Sequence, residues 1–325
     1  MTRRLDVLAA LKHAGPAGVS GEALARDLGF SRAAVAKHIA VLRDAGYRVT
    51  ARAGFGYVLE SVPDAPIPCE VVPLVGSPFW VRLEGAEETG STNDDCKALA
   101  REGAPEGTAV LAARQTSGRG RLGRAWESPA GGVYVSVLFR PLAPLSDLSS
   151  LPLAVSLGVA RGLETLGISA GLKWPNDVWT SGGKLAGILL ETSAEADRAE
   201  WVVAGIGVNV RRPARAFEGA AYLYDELEDP AGRPGLARVA AAVLDGISSA
   251  YEEFAGAGFA GLRAEYESRS VLAGRDVCVR DAHGGLVAEG RVAGTDPAGR
   301  LLVDGGEGVT AVAAGDVTLR PGAGA

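Results

Sequence analysis

Cysteine is nearly absent: Cys69, Cys96 and Cys278 are too few and too widely spaced for a disulfide framework or a thiolate metal site. They read as isolated reduced thiols, the usage of a cytoplasmic protein. Long apolar runs are missing too. Hydrophobic residues make up 47% of the 325, yet no stretch approaches a membrane span. The opening Met-Thr-Arg-Arg-Leu-Asp carries an early acid and enters an amphipathic pattern, so it reads as structure rather than as a signal peptide. His13 and His38 have no serine, aspartate or metal-ligand partners nearby in sequence, which leaves no local basis for a histidine catalyst. Lysine is scarce: Lys12, Lys37, Lys97, Lys173 and Lys184 are five among 33 basic residues. Each remaining lysine is therefore weighted toward a role that arginine does not fill.

The charge that is present is uneven. The net charge is −6, but residues 1–60 hold nine Lys/Arg against five Asp/Glu, a net +4 that leaves −10 for the remainder. A basic head on an acidic body suggests that the head alone meets a polyanion. Leu5, Leu8 and Leu11 stripe a first helix, and Gly15-Pro16-Ala17-Gly18 breaks it. Ser20 caps a short second helix over 22–28; Ser31 caps a third over 32–45, closed by Gly46. Val35, Ile39 and Leu42 face inward, which leaves Arg32, Lys37, His38 and Arg43 for a major groove. Residues 47–52 and 57–59 around a glycine-bearing turn add a wing. Ser31 and Arg52 complete the expected DNA-contact set. A helical docking domain without DNA is the alternative. Pro63, Pro66, Pro68 and Pro73 then mark a stiff linker.

Residues 118–124 read GRGRLGR, entered from a strand-like run over 108–113. Glycine allows close backbone approach and positive φ; arginine supplies a donor fork for phosphate or carboxylate. Gly118, Gly120 and Gly123 match the dinucleotide fingerprint G-x-G-x-x-G, but that motif needs a helix next. Here Pro129, Gly131-Gly132 and the β-branched run 133–139 indicate a turn and a second strand. A Walker loop is excluded, since no Gly-Lys-Ser/Thr comes after it. The alternative is a solvated basic loop.

Three further segments carry chemistry. Ser91, Thr92 and Asn93 stand at the mouth of a helix expected over 94–101, either as neutral partners for an uncharged polar ligand or as its N-cap. Residues 172–178, LKWPNDV, place Lys173, Trp174, Asn176 and Asp177 around a proline turn. Lys173 suits a phosphate and Asp177 suits Mg²⁺; a surface turn with a packed tryptophan is the alternative. Residues 182–191 (GGKLAGILLE) and 201–210 (WVVAGIGVNV) are strands in which Gly187, Gly205 and Gly207 suggest close approach by a ligand or another backbone. Helices over 151–166 and 236–254 flank this mixed sheet. Short strands at 276–280, 286–292, 301–303 and 309–312 suggest a small SH3-like barrel.

The order STN, QTSGRGRLGRAW, KWPNDV, GGKLAGILLE, GIGVNV resembles that of the biotin–protein ligases, and with a winged helix in front, their bifunctional ligase/repressor form. The resemblance spans essentially the whole chain. It implies an α+β multidomain fold: winged helix at 1–62, linker at 63–76, catalytic domain at 77–270 and SH3-like domain at 271–325. It implies ATP and Mg²⁺ as cofactors, biotin as substrate, a biotin carboxyl carrier protein as acceptor, operator DNA as partner, a homodimer, and no membrane.

Carried over by residue, Ser91, Thr92, Asn93 and Gln115 match the residues around the biotin head. Arg119, Gly120 and Arg121 match the loop over biotin and the adenylate phosphate, and Lys184 matches the lysine near the biotin carboxylate. Lys173, Asn176 and Asp177 match the nucleotide and metal side, and Trp126 matches a ring that orders the adenylate site. Gly118, Arg124, Gly187 and Asn209 are counted with the nucleotide set. Lys184, Arg119, Arg121 and Lys173 are expected to carry catalysis, Asp177 to hold the metal, and the 118–124 loop to order on ligand binding. Competing readings are a ligase whose winged helix no longer represses, a lipoate or octanoyl transfer enzyme on the same fold, and a ligand sensor without catalysis.

Overall fold

The computed structural model describes residues 2–195 and 198–320. Helices α1 (Thr2–Ala14), α2 (Gly21–Asp27) and α3 (Arg32–Asp44) precede a hairpin of β1 (Arg48–Arg52) and β2 (Gly56–Ser61). Ser20 and Ser31 accept hydrogen bonds from the amides of Ala23 and Ala34, so both expected caps form. Leu8, Leu11, Leu24, Val35, Ile39 and Leu42 bury together as the core of this winged helix.

The proline-rich segment expected to be a stiff linker holds one short helix. Pro68 opens a short helix, α4 (Pro68–Val71), because proline is well suited to a first helical position. Ile67 and Cys69 join the winged-helix core, whereas Val71 joins the central one. Glu70 accepts from Tyr47 Oη at 2.6 Å and from Lys12 Nζ at 2.9 Å. The prolines therefore shape a wedge that both sides grip.

Seven strands make the central sheet: β3 (Arg82–Thr89), β4 (Thr108–Gln115), β5 (Val133–Phe139), β6 (Gly171–Lys173), β7 (Asp177–Thr180), β8 (Gly183–Glu195) and β9 (Arg198–Val208). Their order is β3-β4-β5-β9-β8-β7-β6, with β3 and β4 parallel and the other pairs antiparallel. Period-two alternation sends Val133, Val135, Val137 and Phe139 of β5 into a core with α6 (Leu151–Glu164) and α7 (Leu236–Ser268). Leu138 and Val203 go to the other face, against Cys96 and Ala100 of α5 (Thr92–Arg101). Helix α7 runs beyond the expected residue 254 and is broken at Gly258, whose φ of 63° is left-handed.

The C-terminal strands β10 (Asp276–Arg280), β11 (Leu286–Thr295), β12 (Leu301–Asp304), β13 (Val309–Val312) and β14 (Asp316–Leu319) form an antiparallel sheet. Their order is β13-β12-β11-β10-β14. This is the small β domain expected. It is anchored where Trp174 Nε1 donates to the Gly299 carbonyl at 3.0 Å and Glu267 accepts from the Thr295 amide at 2.8 Å. Among the described residues, no helix is long and apolar enough to cross a membrane.

Candidate active site

A cavity of about 270 Å³ opens on the α5 face of the sheet. The alternation that gives Leu138 to α5 also places Ser136 on this face, where its hydroxyl lies 2.6 Å from Asn93 Oδ1 and 2.7 Å from Thr92 Oγ1. Gln115 Oε1 accepts from the Thr92 amide at 2.8 Å, and Gln115 Nε2 donates to Ser128 Oγ at 2.9 Å. Asn93 Nδ2 donates to Glu191 Oε2 at 2.7 Å. Ser91, Thr92 and Asn93 are all buried at this wall. Ser91 occupies the N-cap position of α5, yet its side chain makes no capping bond. The capping alternative is thus not realised, and the hydroxyl borders the cavity.

The 118–124 loop is a tight hairpin. Gly120 N donates to Arg124 O at 2.7 Å, Trp126 N to Gly118 O at 2.9 Å, and Arg119 bridges Ala125. At its tip Leu122 has φ 57°, the one positive φ at a non-glycine among the described residues. Each arginine reaches a different element. Arg119 grips Asp94 with both terminal nitrogens, at 2.6 and 2.8 Å. Arg121 donates to Asn176 Oδ1 at 3.1 Å, and Arg124 pairs with Asp316 of the C-terminal domain. The hydrogen bonds from Arg119, helped by Lys97 against the cost of burial, push the Asp94 carboxyl down to about 2.

Trp126 lies beneath this hairpin and explains the strand glycines. A Cβ at Gly207 would stand 2.3 Å from Trp126 Nε1, and one at Gly205 would stand 2.1 Å from Asn93 Oδ1. Gly187 also faces the Trp126 ring. The sequence points to a ligand or another backbone at these glycines. Side chains of the site approach them closely instead: Asn93 at Gly205, Trp126 at Gly207, and Trp126 together with Lys184 at Gly187.

Lys184 Nζ stands 2.6 Å from Asp177 Oδ1 and 5.2 Å from the Trp126 ring centre. The pair is electrostatic rather than an aligned hydrogen bond, since that buried oxygen has no hydrogen-bond partner. Asn176 donates to the Ile188 carbonyl at 2.6 Å. Ser91, Thr92, Asn93, Gln115, Arg119, Gly120, Arg121, Arg124, Trp126, Asn176, Asp177, Lys184 and Gly187 all line one cavity. Three expected residues do not. Gly118 braces the hairpin base. Lys173 lies over the Trp179 ring at 4.5 Å, and burial, with Lys184 nearby, lowers its pKa. Asn209 donates to the Lys184 carbonyl at 3.2 Å and borders an adjoining cavity of about 360 Å³, shared with Trp126 and Trp179. Sequence motifs do not single out Asp94, Ser136, Glu191 or Asp316. Asp94 follows the STN run directly and Glu191 ends the GGKLAGILLE run, so both are within reach of that argument; Ser136 and Asp316 come from remote strands. Among the described residues, no group of three or more His, Cys, Asp or Glu is placed to hold a metal.

On the winged helix, Arg32 and Lys37 are exposed. Arg43 is committed to the Val49 carbonyl at 2.7 Å, and Arg52 pairs with Glu60 at 2.8 Å. The Ser31 oxygen is used by its cap. His38, expected on the outer face, is half-buried with its ring 5.5 Å from that of Phe30. Burial and the nearby Arg4 and Lys37 lower its pKa.

The model of the biotin/lipoate A/B protein ligase family matches residues 86–209, and an HTH domain model matches residues 3–58. The chain is 34% identical to the bifunctional ligase/repressor BirA of Bacillus subtilis, over 98% of this chain and 99% of that protein. It is 36% identical to the biotin–[acetyl-CoA-carboxylase] ligase of Mycobacterium tuberculosis, over 73% of this chain and 89% of that one. The biotin protein ligase of Aquifex aeolicus, solved in complex with biotin and ATP, superposes with a TM-score of 0.63 at 32% identity, covering 74% of this chain and 99% of its own. The chain therefore belongs to the biotin/lipoate A/B protein ligase family, in the bifunctional ligase/repressor form that carries an N-terminal HTH domain.

Proposed function

We propose that the chain joins biotin to ATP, giving biotinyl-5′-AMP and pyrophosphate, and then transfers biotin to a lysine of a biotin carboxyl carrier protein. One observation carries the reading: a neutral polar wall and a set of cations share a single cavity. Ser91, Thr92, Asn93 and Gln115 offer uncharged donors and acceptors suited to a ureido ring. Across the cavity, Arg121 and Lys184 offset the repulsion between a carboxylate and the α-phosphate. The carboxylate oxygen attacks the α-phosphorus, and the bond to pyrophosphate breaks. The carrier amine then attacks the acyl carbon, and AMP leaves. Lys184 exchanges Asp177 for the biotin carboxylate during the first step.

No protein nucleophile is needed. Cys96 is fully buried, and burial pushes its thiol up to about 12, which rules it out of acyl transfer. This argues against the octanoyl-transfer reading. Trp126, Arg124, Asn176, Gly187 and Asn209 form the nucleotide side, with Lys173 beside them on Trp179. Mg²⁺ would suit the nucleotide side: Asp177, whose buried Oδ1 makes no hydrogen bond and faces Lys184, would supply one carboxylate to it. When bound, it neutralises phosphate charge.

The domain limits 1–62, 63–76, 77–270 and 271–325 belong to the same proposal, with 63–76 as a gripped wedge. So do a cytoplasmic location, operator binding through Arg32 and Lys37, and a homodimer, which a palindromic operator requires. Labelled biotin incubated with an apo carrier, with and without ATP, tests the enzyme. ATP-dependent labelling is expected; labelling by lipoate and not biotin would reject the reading. A gel shift on the chain's own promoter, strengthened by biotin and ATP, separates a repressor from a plain ligase.

A further inference from the structure

Arg119 lines the cavity, yet both of its terminal nitrogens are committed to Asp94. This is the bidentate geometry in which an arginine is held most firmly. Asp94 is itself held: Lys97 Nζ stands 2.9 Å from Asp94 Oδ1 and 2.7 Å from Glu191 Oε1. Glu191 also accepts from Asn93, a residue of the neutral wall, and lies 3.8 Å from Arg119. The first turn of α5, the hairpin and strand β8 are thus tied by four charges. Arg119 is also the hairpin residue that bridges Ala125, so fixing its guanidinium fixes the hairpin stem.

We infer that Asp94 is a positioning residue that latches the 118–124 hairpin over the cavity through Arg119. The inference rests on the ligase reading above. It also changes the part played by Arg119: both of its terminal nitrogens are bonded to Asp94, whereas Lys184 makes no aligned hydrogen bond to Asp177 and Arg121 meets only neutral oxygens among the described residues, so the charge offered to the anions comes chiefly from Lys184 and Arg121. What the latch guards is the mixed anhydride. If the hairpin lifts, water adds to the acyl carbon and the acyl–oxygen bond to phosphate breaks. Free biotin and AMP result, with a proton released to solvent. ATP is then consumed without carrier labelling.

The test is the ratio of AMP formed to carrier biotinylated, measured on the full-length protein with saturating biotin, ATP and apo carrier. Asp94→Asn removes the charge and keeps the shape. The ratio should rise about threefold to fivefold, the size that a partly exposed ion pair supports, while the KM for biotin changes little. Asp94→Glu should bring the ratio back toward that of the wild type. If Asp94 serves α5 alone, Asp94→Asn lowers the melting temperature and leaves the ratio unchanged, which overturns the inference. A wild-type protein that forms no AMP from biotin and ATP defeats the ligase reading itself, a result distinct from an unchanged ratio in an active enzyme.

Discussion

The cavity and the winged helix both depend on arginines and use them in opposite ways. In the cavity, Arg119, Arg121 and Arg124 each have a named partner: Asp94, Asn176 and Asp316. On α3, Arg32 and Lys37 are exposed and, among the described residues, form no ion pair. A small ligand must be met at fixed positions, and hydrogen bonds within the site aim its cations. A polyanion is met by cations that displace a counterion atmosphere, and these need reach more than fixed geometry. Arg43 and Arg52 show the boundary between the two regimes. Both lie on the winged helix, but the Val49 carbonyl and Glu60 hold them, so they act first on the wing itself.

The largest expected break in this contrast is Lys184→Ala. Removing the cation that faces Asp177 should slow biotin-dependent pyrophosphate release about a hundredfold, the usual scale for a charge-stabilising group. An unaffected rate would undo the role given to Lys184. Next comes Gly205→Ala. Its methyl meets Asn93 Oδ1 at 2.1 Å, so Asn93 must move. The KM for biotin should rise about tenfold, in keeping with the cost of overpacking a filled site. The folded state should persist by circular dichroism.

Arg32→Ala and Lys37→Ala should leave carrier labelling unchanged and weaken operator binding severalfold. Each cation removed from a phosphate should lower the slope of log affinity against log salt by about one. Equal loss of labelling would erase the division between the two regions. The smallest effect concerns pH. Asp94 is depressed in the folded protein, chiefly by Arg119, so its latch holds at and above the ordinary carboxylate range. That contribution fades only as pH falls toward about 2. A carbon-13 titration of the Asp94 carboxyl in the ligand-free protein checks this; an ordinary midpoint would show that the latch does not form in solution.

Much of this molecule is legible without coordinates because the signals are local. Ser20 and Ser31 cap helices through an amide three residues on, and Leu24, Val35, Ile39 and Leu42 repeat at helical spacing, so the winged helix can be written from its own residues. GRGRLGR is a hairpin loop rather than a dinucleotide fingerprint because Pro129, paired glycines and a β-branched strand come after it in place of a helix. Thr92, Asn93, Gln115, Lys184 and Asp177 fall within short motifs, and the sheet brings them to one cavity.

What tertiary structure decided was occupancy. Spacing marks Gly205 and Gly207 as places of close approach, but two side chains from elsewhere in the chain fill them, Asn93 and Trp126. Composition marks 63–76 as a linker, but apolar residues at Ile67, Cys69 and Val71 join cores on both sides. Periodicity places His38 outward, and the fold sets its half-buried ring 5.5 Å from that of Phe30. Lys173 shares a motif with Asp177, yet its side chain turns to Trp179. The sequence by itself determined the elements, the residue types at the site and their chemistry, because capping, turn formation and periodicity act over a few residues. The fold alone decided which charges cancel, as between Arg119 and Asp94, because a partner 25 residues away is set by packing rather than by spacing.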